Sequence, residues 1–116
     1  MRTTNYSVLK IYGSSTDHIG TTMLYEYVVR EARDFGITGA TVNRGIMGFG
    51  SSSRISSSKF WELTEKLPIT IELVDETEKL QRFFQQIESV LDSMPKGCVV
   101  SMESVDIKLM KPGKKK

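Results

Sequence analysis

Gly36-Ile37-Thr38-Gly39-Ala40-Thr41-Val42-Asn43-Arg44-Gly45-Ile46-Met47-Gly48-Phe49-Gly50 holds five of the chain's nine glycines. It reads in one pass as a helix stop, a strand and a glycine-rich exit. Gly36 stands where a helix ends on a residue of positive φ. Residues 39–46, rich in Thr, Val and Ile, have strand chemistry. Gly45, Gly48 and Gly50 keep side chains away from whatever approaches the backbone, which points to a binding edge; bulges and turns use glycine in the same way.

Outward from this stretch the pattern alternates between strand and helix. Ser7–Tyr12 is a short apolar run closed by Gly13-Ser14-Ser15, a first strand. After a loop through Asp17, His18 and Gly20, a helix is expected from Thr21 or Thr22. In it Leu24, Tyr27, Val28, Ala32 and Phe35 recur at three- and four-residue steps, and Gly36 stops it. Beyond Gly50, six of the eight residues 51–58 are serines, whose hydroxyls compete with regular backbone hydrogen bonding, so a mobile loop is expected there. Lys59–Leu67 fits a short helix capped by Ser58 better than an irregular strand. Ile69, Ile71 and Leu73 alternate with Thr70, Glu72 and Val74, a strand with one buried face that opens on Pro68. Asp75-x-x-Glu78 resembles a capping box, followed by an apolar helical stripe from Leu80 through Phe83, Phe84, Ile87 and Leu91 to Met94. Pro95-Lys96-Gly97 ends that helix. Cys98–Ile107 reads as a last strand whose apolar phase slips near Glu103-Ser104, as at a bulge.

The order strand, helix, strand, strand, helix, strand predicts an α+β, ferredoxin-like βαββαβ sandwich with two helices on one face of a four-stranded antiparallel sheet. With 116 residues, one domain over 1–110 and a basic tail over 111–116 account for the chain. Sixteen basic against fourteen acidic residues leave a net charge of +2, but the tail holds four lysines, so the body carries −2. This speaks against a basic nucleic-acid face, and a cytoplasmic protein is expected, since no apolar run approaches the roughly 18 residues of a membrane span. His18 is the sole histidine, and Cys98, the sole cysteine, lies in an apolar strand as a buried thiol would. There is no Gly-x-Ser-x-Gly elbow, no Cys/His pair and no complete phosphate loop, so a non-enzymatic role without metal or tightly held cofactor is expected. Arg44 inside the second strand and Arg54 beyond the glycines are the cations placed to meet an anion, with loop N–H groups around it. Apolar residues on both sides of the first strand also require a partner for the sheet face that the helices leave bare.

Gly-Ile-Thr-Gly-x-Thr-Val followed by Gly-Phe-Gly resembles the PII signalling proteins. The longer run from Gly39 to Ile55 is closer still to the PII-like family catalogued as a domain of unknown function. Lys10-Ile11-Tyr12, Leu24-Tyr25-Glu26 and Leu67–Asp75 support the likeness, which spans residues 7–107. It implies a homotrimer that binds an adenine nucleotide in clefts between subunits. The binding strand would be Gly39, Ala40, Thr41 and Val42, joined by Arg44, Gly45, Gly48, Phe49, Gly50 and Arg54. The loop 47–58 would act on a membrane transporter or an enzyme. Lys96 and Gly97 stand where the PII proteins have a longer Gly/Lys phosphate loop. Their late arginines and loop tyrosine have no counterpart here, which favours a ligand with few phosphates, such as AMP or a cyclic nucleotide. Two other readings are a constitutive protein-interaction module without ligand control and a metal-tolerance protein of similar trimeric fold.

Overall fold

The computed structural model describes residues 5–50, 55–57 and 67–113. The helix expected over 59–67, all but its last residue, lies outside the described residues, as do its Ser58 cap, the mobility expected of 51–54, Arg54 itself and the end of the tail.

Four strands form one antiparallel sheet: β1 (Tyr6–Ser14), β4 (Gly39–Arg44), β7 (Pro68–Glu76) and β8 (Val99–Val105), in the order β4-β7-β1-β8. The helices are α1 (Leu24–Phe35) and α2 (Thr77–Asp92). This is the ferredoxin-like arrangement that the sequence predicts. Strand period decides which residues meet the helices. Leu9 and Ile11 from β1 and Ile69, Ile71 and Leu73 from β7 point one way and close a core with Leu24, Val28 and Ala32 of α1 and Leu80, Phe83, Ile87 and Leu91 of α2. Phe35 and Phe83 meet edge to face at 5.4 Å between centroids, joining the two helices.

Several boundaries differ from the reading above, each for a visible reason. α1 starts at Leu24 because Thr22–Met23 (β3) pairs with His18–Ile19 (β2) in a small hairpin turned at Gly20, whose φ is 61°. The Leu24 N–H donates to the Asp17 carbonyl at 2.8 Å and the Asp17 carboxylate accepts from the Ser14 N–H at 2.9 Å, so this loop feeds the helix from β1. Asp75 does not cap α2, whose N-cap is Glu76 with no side-chain bond. Gly36 does what was expected: at φ 96° it closes α1, its N–H bonding back to Ala32 and Arg33. β8 pairs with β1 in unbroken register from Tyr6↔Val105 to Tyr12↔Val99, so there is no bulge at Glu103-Ser104. The apolar phase slips because Val105 belongs to the opposite face from Val100 and Met102.

Among the described residues no helix is long and apolar enough to cross a membrane.

Candidate functional site

The strand of the glycine stretch, β4, lies at one edge of the sheet and pairs only with β7, from Gly39↔Val74 to Arg44↔Ile69. The Gly45 N–H extends this ladder by donating to the Pro68 carbonyl at 2.7 Å. In an antiparallel ladder the direction of main-chain bonding alternates residue by residue. Gly45 bonds inward, so Asn43, Thr41 and Gly39 do too, and Ala40, Val42 and Arg44 present their N–H and C=O groups off the free edge. Side chains divide by the same alternation. Gly39, Thr41 and Asn43 lie on the sheet face without helices, and Ala40, Val42 and Arg44 on the helix side.

After Arg44 the chain leaves the sheet. Met47–Gly48 (β5) pairs with Ser56–Ser57 (β6), so part of the segment expected to be irregular is a short two-stranded arm. Ile46, Met47, Phe49 and Ile55 along it are 78%, 63%, 70% and 64% exposed. Single exposed apolar residues are ordinary, but four on one projection form a surface suited to contact with another molecule.

The glycines separate into two kinds. None of Gly39, Gly45, Gly48 and Gly50 has a positive φ, so none is required by backbone conformation. A Cβ at Gly45 would stand 3.0 Å from Pro68 Cγ, and one at Gly48 3.1 Å from the same atom. What approaches those two is therefore the neighbouring strand's proline. A Cβ at Gly39 or Gly50 would meet none of the described atoms within 4 Å.

Arg44 is exposed at the end of the edge strand and has no ion-pair partner among the described residues. Water satisfies it there, so the partner that a cation within a strand would need is not required. Lys96 and Gly97 precede β8, at the other edge. Three strand spacings, about 14 Å, separate the two edges within one subunit. The described chain thus keeps Gly39–Gly50 at one edge of the sheet and Lys96-Gly97 at the other.

Asp75 anchors the entry to β4, a role sequence reasoning missed by reading it as a helix cap. It is 3% exposed and its carboxylate accepts from the Thr38 N–H at 2.8 Å, the Thr38 hydroxyl at 3.1 Å and the Glu76 N–H at 2.6 Å, with Lys79 at 3.4 Å. Lys79 also donates to the Gly36 carbonyl at 2.5 Å. Burial alone would push this carboxyl up. The backbone N–H groups of Glu76 and Thr38, the Thr38 hydroxyl and Lys79 outweigh it and hold the group below the usual aspartate range. The signal available in the sequence was that Asp75 continues the inward-facing positions of β7 after Ile69, Ile71 and Leu73.

On the face without helices, Lys10 lies between Glu72, its partner across β7, and Glu103. Its ammonium is 3.4 Å from Glu103, whose hydrogen bond and charge raise its pKa above the ordinary lysine value. Around this trio are Tyr6, Val8, Tyr12, Val74, Val99 and Val105, an apolar lining unusual for a sheet face left to water. A groove of about 730 Å³ opens beside it, at the end of the sheet remote from the arm, lined by Tyr6, Glu76, Val105, Asp106, Ile107 and Met110. Its two carboxylates are the wrong charge for an anion, so the groove and the glycine stretch are separate features. Burial, with Asp17 and Asp92 nearby, pushes the Cys98 thiol up, away from the thiolate a nucleophile needs. Among the described residues there is no group of three His, Cys, Asp or Glu side chains placed to hold a metal.

The profile of the DUF190 family, described as "Uncharacterized ACR, COG1993", matches residues 6–107. A UPF0166 protein of Aquifex aeolicus is 30% identical over 107 residues, which is 92% of this chain and 97% of that protein. Among solved structures, a candidate PII-like signalling protein from Thermus thermophilus superposes with a TM-score of 0.59 at 20% identity, covering 88% of each chain. CPII from Thiomonas intermedia K12, solved bound to ADP and bicarbonate, gives 0.56 at 15% identity over 87% of this chain and 88% of that one. At such identities these likenesses establish the fold, which is PII-like. The profile match across nearly the whole sheet and both helices makes this chain a member of the DUF190 (UPF0166) family.

Proposed function

We propose that the protein is a non-enzymatic, PII-like regulator that binds an adenine nucleotide along the β4 edge, between subunits, and signals through residues 47–58. The observation that carries this reading is the edge itself. Ala40 and Val42 present unpaired main-chain donors and acceptors, a pattern that can read the donor–acceptor edge of a purine. Beside them Gly39 and Gly50 leave room that nothing described in the subunit fills. Arg44 supplies positive charge at the strand's end, where a phosphate would lie.

A second copy is supported by the apolar sheet face around Lys10, and such a neighbour could bring its own Lys96-Gly97 to the β4 edge. The resemblance to PII proteins favours a trimer, and the ADP in the Thiomonas protein supports a nucleotide as ligand. A soluble, cytoplasmic location and a transporter or enzyme as target complete the reading.

A thermal-shift series tests it, with ATP, ADP, AMP, cyclic mono- and dinucleotides, bicarbonate and simple anions added to the purified protein. One nucleotide should raise the melting temperature by a few degrees, and Arg44→Ala and Gly39→Val should each abolish that shift. No shift with any compound, the oligomer being intact by sizing, would instead support a constitutive interaction module carried by the exposed Ile46, Met47, Phe49 and Ile55.

A further inference from the structure

We propose that Pro68 is the fulcrum of the exposed arm, fixing the angle at which β5 and β6 leave the sheet, with Gly45 and Gly48 as the bearing surfaces on its ring. Both glycines approach the same atom, since a Cβ at either would stand 3.0–3.1 Å from Pro68 Cγ. Their φ values are open to any residue, so close approach is what glycine provides there.

Pro68 itself is held on its other side. Leu67, buried, exchanges two bonds with Ser15: the Ser15 N–H donates to the Leu67 carbonyl at 2.8 Å, and the Leu67 N–H donates to the Ser15 hydroxyl at 2.9 Å. Pro68 also pairs in register with Ser14 at the end of β1 and accepts the Gly45 N–H at 2.7 Å. With the proline fastened to two strands, the more weakly held member of the contact is the arm, whose own ladder is two residues on each side. Bulk at position 48 therefore lifts the arm and leaves the sheet in place.

The test is a substitution cycle read by amide exchange at Gly45, whose N–H reports the closure of the contact. Gly48→Val should speed that exchange about tenfold, Gly48→Ala by less, and Gly50→Val, where a Cβ meets nothing described, should not change it. Pro68→Ala removes Cγ, so combining it with Gly48→Val should restore most of the protection seen in Pro68→Ala alone. Exchange of the Leu67 amide, which lies in the anchor, should stay constant throughout. The proposal is overturned if Gly48→Val and Gly50→Val act alike, or if Pro68→Ala fails to relieve Gly48→Val. No ligand enters these measurements, so failure of the nucleotide reading would leave them unaffected, and the reverse also holds.

Discussion

β7 and β4 are neighbours in one sheet, yet they obey different constraints. In β7 the positions facing the helices, Ile69, Ile71, Leu73 and Asp75, are all buried, and the strand is paired on both sides. In β4 every residue but Gly39 is exposed, and one side of the backbone is unpaired. The first strand is fixed by packing; the second is held by β7 and by the turn that enters it. A residue in β7 therefore answers to stability, and a residue in β4 answers to whatever lies beyond the subunit. Substitutions can break or sharpen this contrast.

The largest effect belongs under β7. Phe83 of α2 is fully buried against the strand's inner face and carries the aromatic contact to Phe35. Phe83→Ala should cost about 3–5 kcal/mol, read as a lowered urea midpoint with little change in slope. A loss under about 1 kcal/mol would mean that the helix layer packs loosely and that β7 is no more constrained than β4.

Asp75 comes next because it joins the two strands, sitting in β7 while holding Thr38 at the entry to β4. Asp75→Asn keeps the shape but loses charge, and its amide nitrogen becomes a donor facing either the Thr38 N–H, bonded to Oδ2, or the Glu76 N–H, bonded to Oδ1. The expected loss is about 1–3 kcal/mol at neutral pH. Its sign with pH follows from the lowered folded pKa. The carboxylate's stabilisation is complete above the unfolded value, near 3.8, and is lost as pH falls through and below it. The gap between wild type and Asp75→Asn should therefore begin to narrow near pH 4 and close as pH falls through the lowered folded value. A gap that does not narrow at all below about pH 4 would assign the loss to packing alone.

Gly36 tests the same entry at lower cost. At φ 96° it occupies the left-handed region, so Gly36→Ala should destabilise by about 1 kcal/mol, although the nearest atom to a new Cβ is Lys79 Nζ at a comfortable 3.6 Å. Gly39→Ala, three residues later and of ordinary φ, should leave the melting temperature of the free protein within error.

The contrast also explains what could be read from the sequence. Periodicity exposed β7 and α2 because burial on one face writes a pattern into residues 69–91, and Gly36 was legible because a left-handed helix end has few alternatives. The hairpin of β2 and β3 was missed: two-residue strands carry no period, and Gly20-Thr21 is a faint turn signal. The slip at Val105 was readable as a change of face, but sequence cannot distinguish a bulge from a residue that belongs to the open side. In the candidate site, the glycines pointed to a binding edge, but which main-chain groups β4 leaves unpaired was not legible. Strand order is a long-range property, and it alone frees the outward main-chain groups of Ala40 and Val42. Gly45 and Gly48 were readable as close-approach residues, but what approaches is Pro68, distant along the chain.

The smallest effect on the subunit should come from the open face, and there the contrast is most exposed to failure. Glu103 and Lys10 are paired on the surface of one chain, where such a pair contributes little because water and salt compete with it. Glu103→Lys would set two ammonium groups side by side across the β1–β8 ladder, with Glu72 left to serve both. In a free subunit the new lysine can turn into solvent, so its unfolding should change little. If the surrounding Tyr6, Val8, Tyr12, Val99 and Val105 are covered by another copy, that escape is closed and a like charge is held in the interface. The expected result is a shift by sizing toward smaller species, strongest at low salt, with the circular dichroism of the subunit retained. An unchanged assembly at every salt concentration would mean that this face looks onto water despite its apolar lining, and that the second copy must meet β4 by another route.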